Sequence, residues 1–207
     1  MTEIYHEFLN ERPDLRIISD LIEPNTRVLD LGCSSGLFLR MLKEQKKIEA
    51  LGIEIDQDMI MECIANGVSV VQENLNRELT FAEDQSFDYV ILSRTIQEVL
   101  HPDQLLSEIV RVGNKALVAF INFAEWKNRF QLFFRGHMPK SGSLPYTWYE
   151  TPNIHLATIK DMRNLCKQLD IEIIQEIAIA RKYRLVIDMF PNLLAHSCVF
   201  ELRRRQK

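Results

Sequence analysis

Between Arg27 and Phe123, short branched-aliphatic runs alternate with amphipathic stretches, and this alternation restricts the fold more than any other feature of the chain. Strands that share a direction must be joined by crossovers, usually helical, so the pattern predicts βαβ units. Residues 26–31 (TRVLDL) end at Gly32 and precede 36–43 (GLFLRMLK), whose apolar spacing suits a helix lying on a sheet. Residues 48–55 read as a second strand, 57–66 as a helix stopped by Asn66-Gly67, and 68–72 as a third strand. The unit repeats with a strand at 87–93, a helix at 102–112 opened by Pro102, and a strand at 115–122. A helix at 158–169 and strands at 171–179 and 197–202 complete the pattern. The expected fold is α/β: a doubly wound, mostly parallel seven-strand sheet. A helix at 13–22 covers it through Leu15, Ile18, Leu21 and Ile22 before Pro24-Asn25 turns the chain into the first strand.

A chain of 207 residues buries roughly 70% of its unfolded surface, which suits one domain spanning 1–207. Its 46% hydrophobic and 26% charged content excludes disorder as the main state. A formal net charge of −4 gives no bulk attraction to nucleic acid or to an anionic membrane. No uncharged apolar run approaches the roughly 20 residues that span a bilayer, and MTEIYHEFLN lacks a signal-peptide layout, so a cytoplasmic protein is expected. Cys33, Cys63, Cys166 and Cys198 form no CxxC pair and no zinc spacing, and read as reduced, mostly buried thiols with no metal. The basic runs Arg181, Lys182, Arg184 and Arg203, Arg204, Arg205, Lys207 are short, and read as a solvated edge and a tail.

The sharpest chemical signal is VLDLGCSSG, residues 28–36, a strand that ends in an acid and then turns between two glycines into a helix. Without Cβ atoms, Gly32 and Gly36 permit a tight turn and close approach of a ligand to backbone. Asp30 would face that ligand. Glu54 closes the second strand 22 residues beyond Gly32, the spacing at which a carboxylate accepts hydrogen bonds from a ribose diol. The glycines read G-x-x-x-G and not G-x-G-x-x-G, which favours a single nucleoside over a dinucleotide.

On these residues the chain resembles the class I S-adenosylmethionine-dependent methyltransferases, whose fold is Rossmann-like. The resemblance implies that Asp30, Gly32 and Gly36 surround the methionine part of S-adenosylmethionine or S-adenosylhomocysteine, and that Glu54 takes the ribose hydroxyls. It puts Asn74 where many members carry an acid that accepts from the adenine amino group. It puts Ser93 where backbone lines the cofactor. Ser34 stands in place of the middle glycine, where its Cβ could crowd the cofactor or its hydroxyl donate to it. The strings VLDLGCSSG, GIEID, CIANGVSVVQENLN, FDYVILSRTIQEV, RGHMP and LPYTWYETPNIHLATIKD are similar to the methionine-biosynthesis protein MetW family over nearly the whole chain. That resemblance implies a protein working beside a homoserine O-acyltransferase, MetX.

No catalytic residue declares itself. His101 reads as a capping residue, His137 and His155 as structural, and Gln97-Glu98 stand where many relatives place a histidine. Leu144-Pro145-Tyr146 only superficially resembles the N-P-P-Y of amino-methylating enzymes. Residues 124–157 break the alternation with rings and prolines. Trp126, Arg129, Arg135, Tyr146, Trp148 and Tyr149 make this insertion a candidate lid or partner surface, or else a satellite core. The sequence therefore supports an accessory protein that binds the cofactor. The alternatives are a methyltransferase acting on a small molecule and a scaffold that binds no cofactor.

Overall fold

The computed structural model describes residues 3–77, 79–142, 144–180 and 188–205. Along the chain run α1 (Glu3–Glu11), α2 (Pro13–Leu21), β1 (Arg27–Leu31), α3 (Leu37–Lys46), β2 (Glu49–Glu54), α4 (Gln57–Ala65), β3 (Ser69–Gln72) and β4 (Phe87–Ser93). They are followed by α5 (Pro102–Val112), β5 (Gly113–Ile121), α6 (Trp126–Arg135), α7 (Ile159–Gln168), β6 (Ile171–Ile179), α8 (Pro191–Leu194) and β7 (Ser197–Arg204).

The sheet has seven strands in the order β3-β2-β1-β4-β5-β7-β6. β1 to β5 are parallel, and β7 runs antiparallel between β5 and β6. The order reverses at β1/β4, so the crevice beyond their carboxyl ends is where a ligand is sought. β1 lies at the centre and is buried from Val28 to Leu31, whereas the edge strand β3 has no buried residue. Side chains alternate across β1. Leu29 and Leu31 join one apolar layer with Phe120 and Phe200. Val28 joins the other with Ile18, Leu39 and Met41, and Asp30 shares its face by the two-residue period.

Local chemistry sets the helix starts. Asp56 accepts the N–H groups of Asp58 and Met59 at 2.9 and 3.1 Å, and Thr158 with Asp161 forms a reciprocal capping box on α7. The covering helix is present as α2, with Leu15 and Ile18 buried as its spacing required. Several features go beyond the sequence reading, among them the short helix α8 before β7. α1 precedes α2 and buries Tyr5 and Leu9. α5 passes into β5 at Gly113 without a loop. The insertion contains a regular helix, α6.

Buried Gln97 ties the insertion to the sheet: its Oε1 accepts the Ile121 N–H at 2.9 Å, and its carbonyl accepts the N–H groups of Ile154 and His155. All four cysteines are free and buried, and the fold brings Cys33 and Cys63 to a sulfur separation of 3.6 Å. Arg203, Arg204 and Arg205 form exposed ion pairs with Glu172, Asp84 and Asp170. Arg181, Lys182, Arg184 and Lys207 lie outside the described residues.

Candidate functional site

The turn after β1 enters the left-handed region three times in five residues, at Gly32 (φ +79°), Ser34 (φ +51°) and Gly36 (φ +73°). A Cβ at Gly32 would come 2.6 Å from Thr95 Oγ1, so this position is closed to side chains by space as well as by φ. Ser34 bears the conformation with a side chain attached, at a cost of roughly 1–2 kcal/mol. Its N–H donates to Glu54 Oε2 at 2.9 Å, and its hydroxyl reaches Met59 Sδ at 3.5 Å. The other oxygen of Glu54 accepts the N–H groups of Ile55 and Asp56 at 2.7 and 3.0 Å. A carboxylate has about four acceptor positions, so three backbone bonds leave Glu54 one for a ligand.

A cavity of about 330 Å³ opens at this point, lined by Gly32, Ser34, Glu54, Asn74, Thr95 and Glu98 among others. Four of the seven residues expected to hold a cofactor therefore meet there. Asn74 turns its Oδ1 onto the Asn76 N–H at 2.9 Å, so part of its accepting capacity is spent on its own turn. Gly36 does not line this cavity; it caps the start of α3, and a Cβ there would press on Cys63 and Val68. Asp30 lies buried in β1 and not in the cavity wall. Burial pushes its carboxyl up to about 7, Arg12 opposing the rise and Glu54 adding to it. Glu98, which the sequence left without a role, borders the cavity with its carboxyl raised by burial and then by Glu54. His101, His137 and His155 do not line it.

Ser93 belongs to a cluster that sequence reasoning missed. Buried Asp14 accepts from Arg12 Nη2 at 2.8 Å, from Arg94 Nη2 at 3.1 Å and from the Ser93 hydroxyl at 2.8 Å, and that hydroxyl itself accepts from Arg12 Nη2 at 2.8 Å. Burial works against the charge of Asp14, yet Arg12, with Arg94 and Ser93, holds its carboxyl down at about 2. Arg94 follows β4 in a left-handed conformation at φ +65°. Two guanidiniums and one carboxylate leave a surplus positive charge at the β1/β4 crevice. An acid in the first turn of a helix ordinarily faces water, so only the crossing of α2 over β4 reveals this use of Asp14.

The insertion supplies a second cavity of about 210 Å³, lined by Phe123, Met138, Leu144, Tyr146, Trp148 and Tyr149 among others, with no lining residue shared with the first. Trp126, Tyr146, Trp148 and Tyr149 are exposed, Trp148 at 73%, so these rings are not a buried satellite core. Arg129 is pinned by its Nε to the Ala124 carbonyl at 2.7 Å, while Arg135 is exposed at the end of α6.

The family model described as "Methionine biosynthesis protein MetW" matches residues 12–202. The chain belongs to the MetW family. It is 32% identical over 205 residues to the bifunctional methionine biosynthesis protein MetXA/MetW of Rhodopirellula baltica, a match that covers 94% of this chain and 33% of that relative. The MetW-family chain thus spans about a third of that relative's length. Among solved structures it is similar to a SAM-dependent methyltransferase of Archaeoglobus fulgidus, with TM-score 0.69, 16% identity and coverage of 95% and 93% of the two chains. A SAM-dependent methyltransferase of Thermotoga maritima superposes with TM-score 0.67 at 16% identity, covering 99% of this chain and 96% of the other. At such identities the likeness establishes the fold, a Rossmann-like class I methyltransferase fold, and leaves the reaction to the site. Among the described residues, no helix is long and apolar enough to cross a membrane.

Proposed function

We propose that this MetW-family chain binds S-adenosylmethionine or S-adenosylhomocysteine and acts in the cytoplasm as an accessory protein of homoserine O-acyltransferase. The observation that carries the partnership is the joining of MetXA and MetW in one polypeptide in Rhodopirellula baltica.

The residues present fit the cofactor. The wall at Gly32 has no room for a side chain, and Glu54 retains an acceptor position toward a cavity of about 330 Å³, within the size range of small-molecule sites. Glu54 would accept from one ribose hydroxyl through its remaining acceptor position, Asn74 would border the base, and Ser34 would lie at the amino-acid end. Glu54, Glu73 and Glu98 give the wall negative charge, which suits a cationic ligand. Arg12 and Arg94 would supply charge for a carboxylate at the β1/β4 end. When bound, S-adenosylmethionine would supply an activated methyl group on a sulfonium, which S-adenosylhomocysteine lacks; an accessory role needs only recognition of either. A ligand that binds two states of this chain unequally would shift the activity of the partner.

Methyl transfer to a small molecule is the second reading. Glu98 favours it: a carboxyl raised by burial at the cavity border is suited to accepting a proton from an acceptor.

The test measures acyl transfer by the homoserine O-acyltransferase of the same organism, with and without an equimolar amount of this protein, at zero and saturating S-adenosylhomocysteine. A several-fold rise on addition is expected. An unchanged rate with no complex on gel filtration would reject the accessory role, and a labelled product from labelled S-adenosylmethionine and a metabolite extract would then establish the methyltransferase.

A further inference from the structure

α6 is weakly integrated into the fold. Asn128 is its only buried residue, its Nδ2 donating to the Phe123 carbonyl at 3.2 Å. A ten-residue helix is marginal in water by itself and normally gains stability by burying an apolar face. Here that face points outward. Trp126, Phe130, Phe133 and Phe134 follow the i, i+4, i+7, i+8 spacing of one helical stripe, and all four are exposed, Phe133 at 82%. The Phe134 ring packs against Phe130 in a tilted pair at 4.4 Å and against Phe133 edge to face at 4.9 Å between centroids, so three rings form one ridge.

Spacing of this kind is how an amphipathic helix seats in a groove of another protein. Resting on the accessory reading, we infer that the aromatic ridge of α6 docks in an apolar groove of the acyltransferase partner. Two observations choose this occupant. The matched relative carries MetXA and MetW on one chain, and two thirds of its length lies outside the match, so a partner surface is covalently at hand. α6 also holds Lys127, Arg129 and Arg135 with no acid, on a chain whose net charge is −4. The groove that fits is therefore apolar along its floor and acidic at its rim, and the basic flank steers the encounter. Trp126 and the arginines belong to the residue types that most often dominate binding energy, and phenylalanines are enriched in the cores of such contacts.

The experiment uses the full chain and titrates the purified homoserine O-acyltransferase of the same organism by calorimetry. The variant Phe130→Ser/Phe133→Ser/Phe134→Ser removes the ridge, and Ile64→Ser removes an exposed apolar side chain on α4 as the control. Thermal unfolding of each variant reports the fold. The ridge variant is expected to bind at least about 30-fold more weakly and the control as wild type. Phe133→Glu alone, at the most exposed ring, is expected to weaken binding about tenfold or more.

Wild-type binding that survives in both ridge variants would overturn the docking face and leave the accessory role standing. No binding by the wild type would overturn both. Loss of self-association, or of binding to vesicles containing anionic lipid, with acyltransferase affinity unchanged, would assign the ridge to a second copy or to a membrane and reject the inference.

Discussion

The backbone N–H of Ser34 donates to Glu54 Oε2 at 2.9 Å, which couples the turn after β1 to the end of β2. One carboxylate thus fixes the loop and faces the cavity. Replacing Glu54 by Gln puts an amide donor against backbone donors that now have carboxylate partners, a conflict costing about 1–3 kcal/mol. Glu54→Gln is expected to lower the melting temperature by several degrees and to weaken S-adenosylhomocysteine binding at least tenfold. Unchanged affinity in calorimetry would remove Glu54 from the ligand site.

Ser34→Gly tests the other partner. Its left-handed backbone costs roughly 1–2 kcal/mol with a side chain, and glycine removes that cost while adding about 0.5–1 kcal/mol of unfolded-state entropy. The net expectation is a gain of about 0.5–1 kcal/mol, seen as a rise of about 2 °C in melting temperature. Ligand affinity should hold or tighten because the N–H to Glu54 is kept. A drop in stability would mean that the Ser34 hydroxyl contact to Met59 outweighs the backbone term.

The order of strands and helices was legible because each had a strong local period, and the central strand β1 was legible as a continuous apolar run broken by one acid. Gly32 and Glu54 were legible as neighbours because strand ends in parallel sheets converge, whereas Ser34 and Asn74 entered only through the family resemblance; all four line one cavity. The sequence did not reveal Asp14, Arg12 and Arg94, whose meeting depends on the angle at which α2 crosses the sheet, an angle that no local spacing encodes. α6 was hidden for another reason. Its periodic face looks outward, so its rings read as an irregular aromatic insertion when core burial was the guide.

Asp14→Asn removes the one carboxylate that holds Arg12 and Arg94 together. Breaking a buried pair costs about 3–5 kcal/mol, and the partial exposure of both guanidiniums moves the expectation to about 2–3 kcal/mol. Denaturant unfolding at neutral pH gives the number. In the wild type this contribution is present above the ordinary aspartate range, because the folded carboxyl titrates at about 2 and stays charged there. It is lost as pH falls from about 4 toward 2, so the Asp14→Asn variant and the wild type should converge in stability at acid pH. A difference that persists undiminished at pH 2 would show that Asp14 acts by packing and not by charge.

Asp30 titrates in the opposite sense. Its folded carboxyl sits at about 7, above its unfolded value, so the folded state holds a proton that the unfolded chain releases. The contribution to stability is whole below about pH 4 and declines as pH rises through about 7, by an amount on the order of 4 kcal/mol. Asp30→Asn cannot ionise, and its stability relative to wild type should therefore increase between pH 4 and 8. Asp30 lies outside the cavity wall but feels the charge of Glu54, which lines it, so a cationic ligand in the cavity would favour the charged Asp30 carboxylate through space and link binding to release of the same proton. S-adenosylmethionine affinity is accordingly expected to rise about tenfold from pH 6 to 8 in the wild type and to stay flat in Asp30→Asn. Calorimetry in two buffers of different ionisation enthalpy reads the proton directly: about one proton released per ligand at pH 6 in the wild type, none in the variant. Equal proton counts in the two proteins would place the ligand's charge away from Asp30.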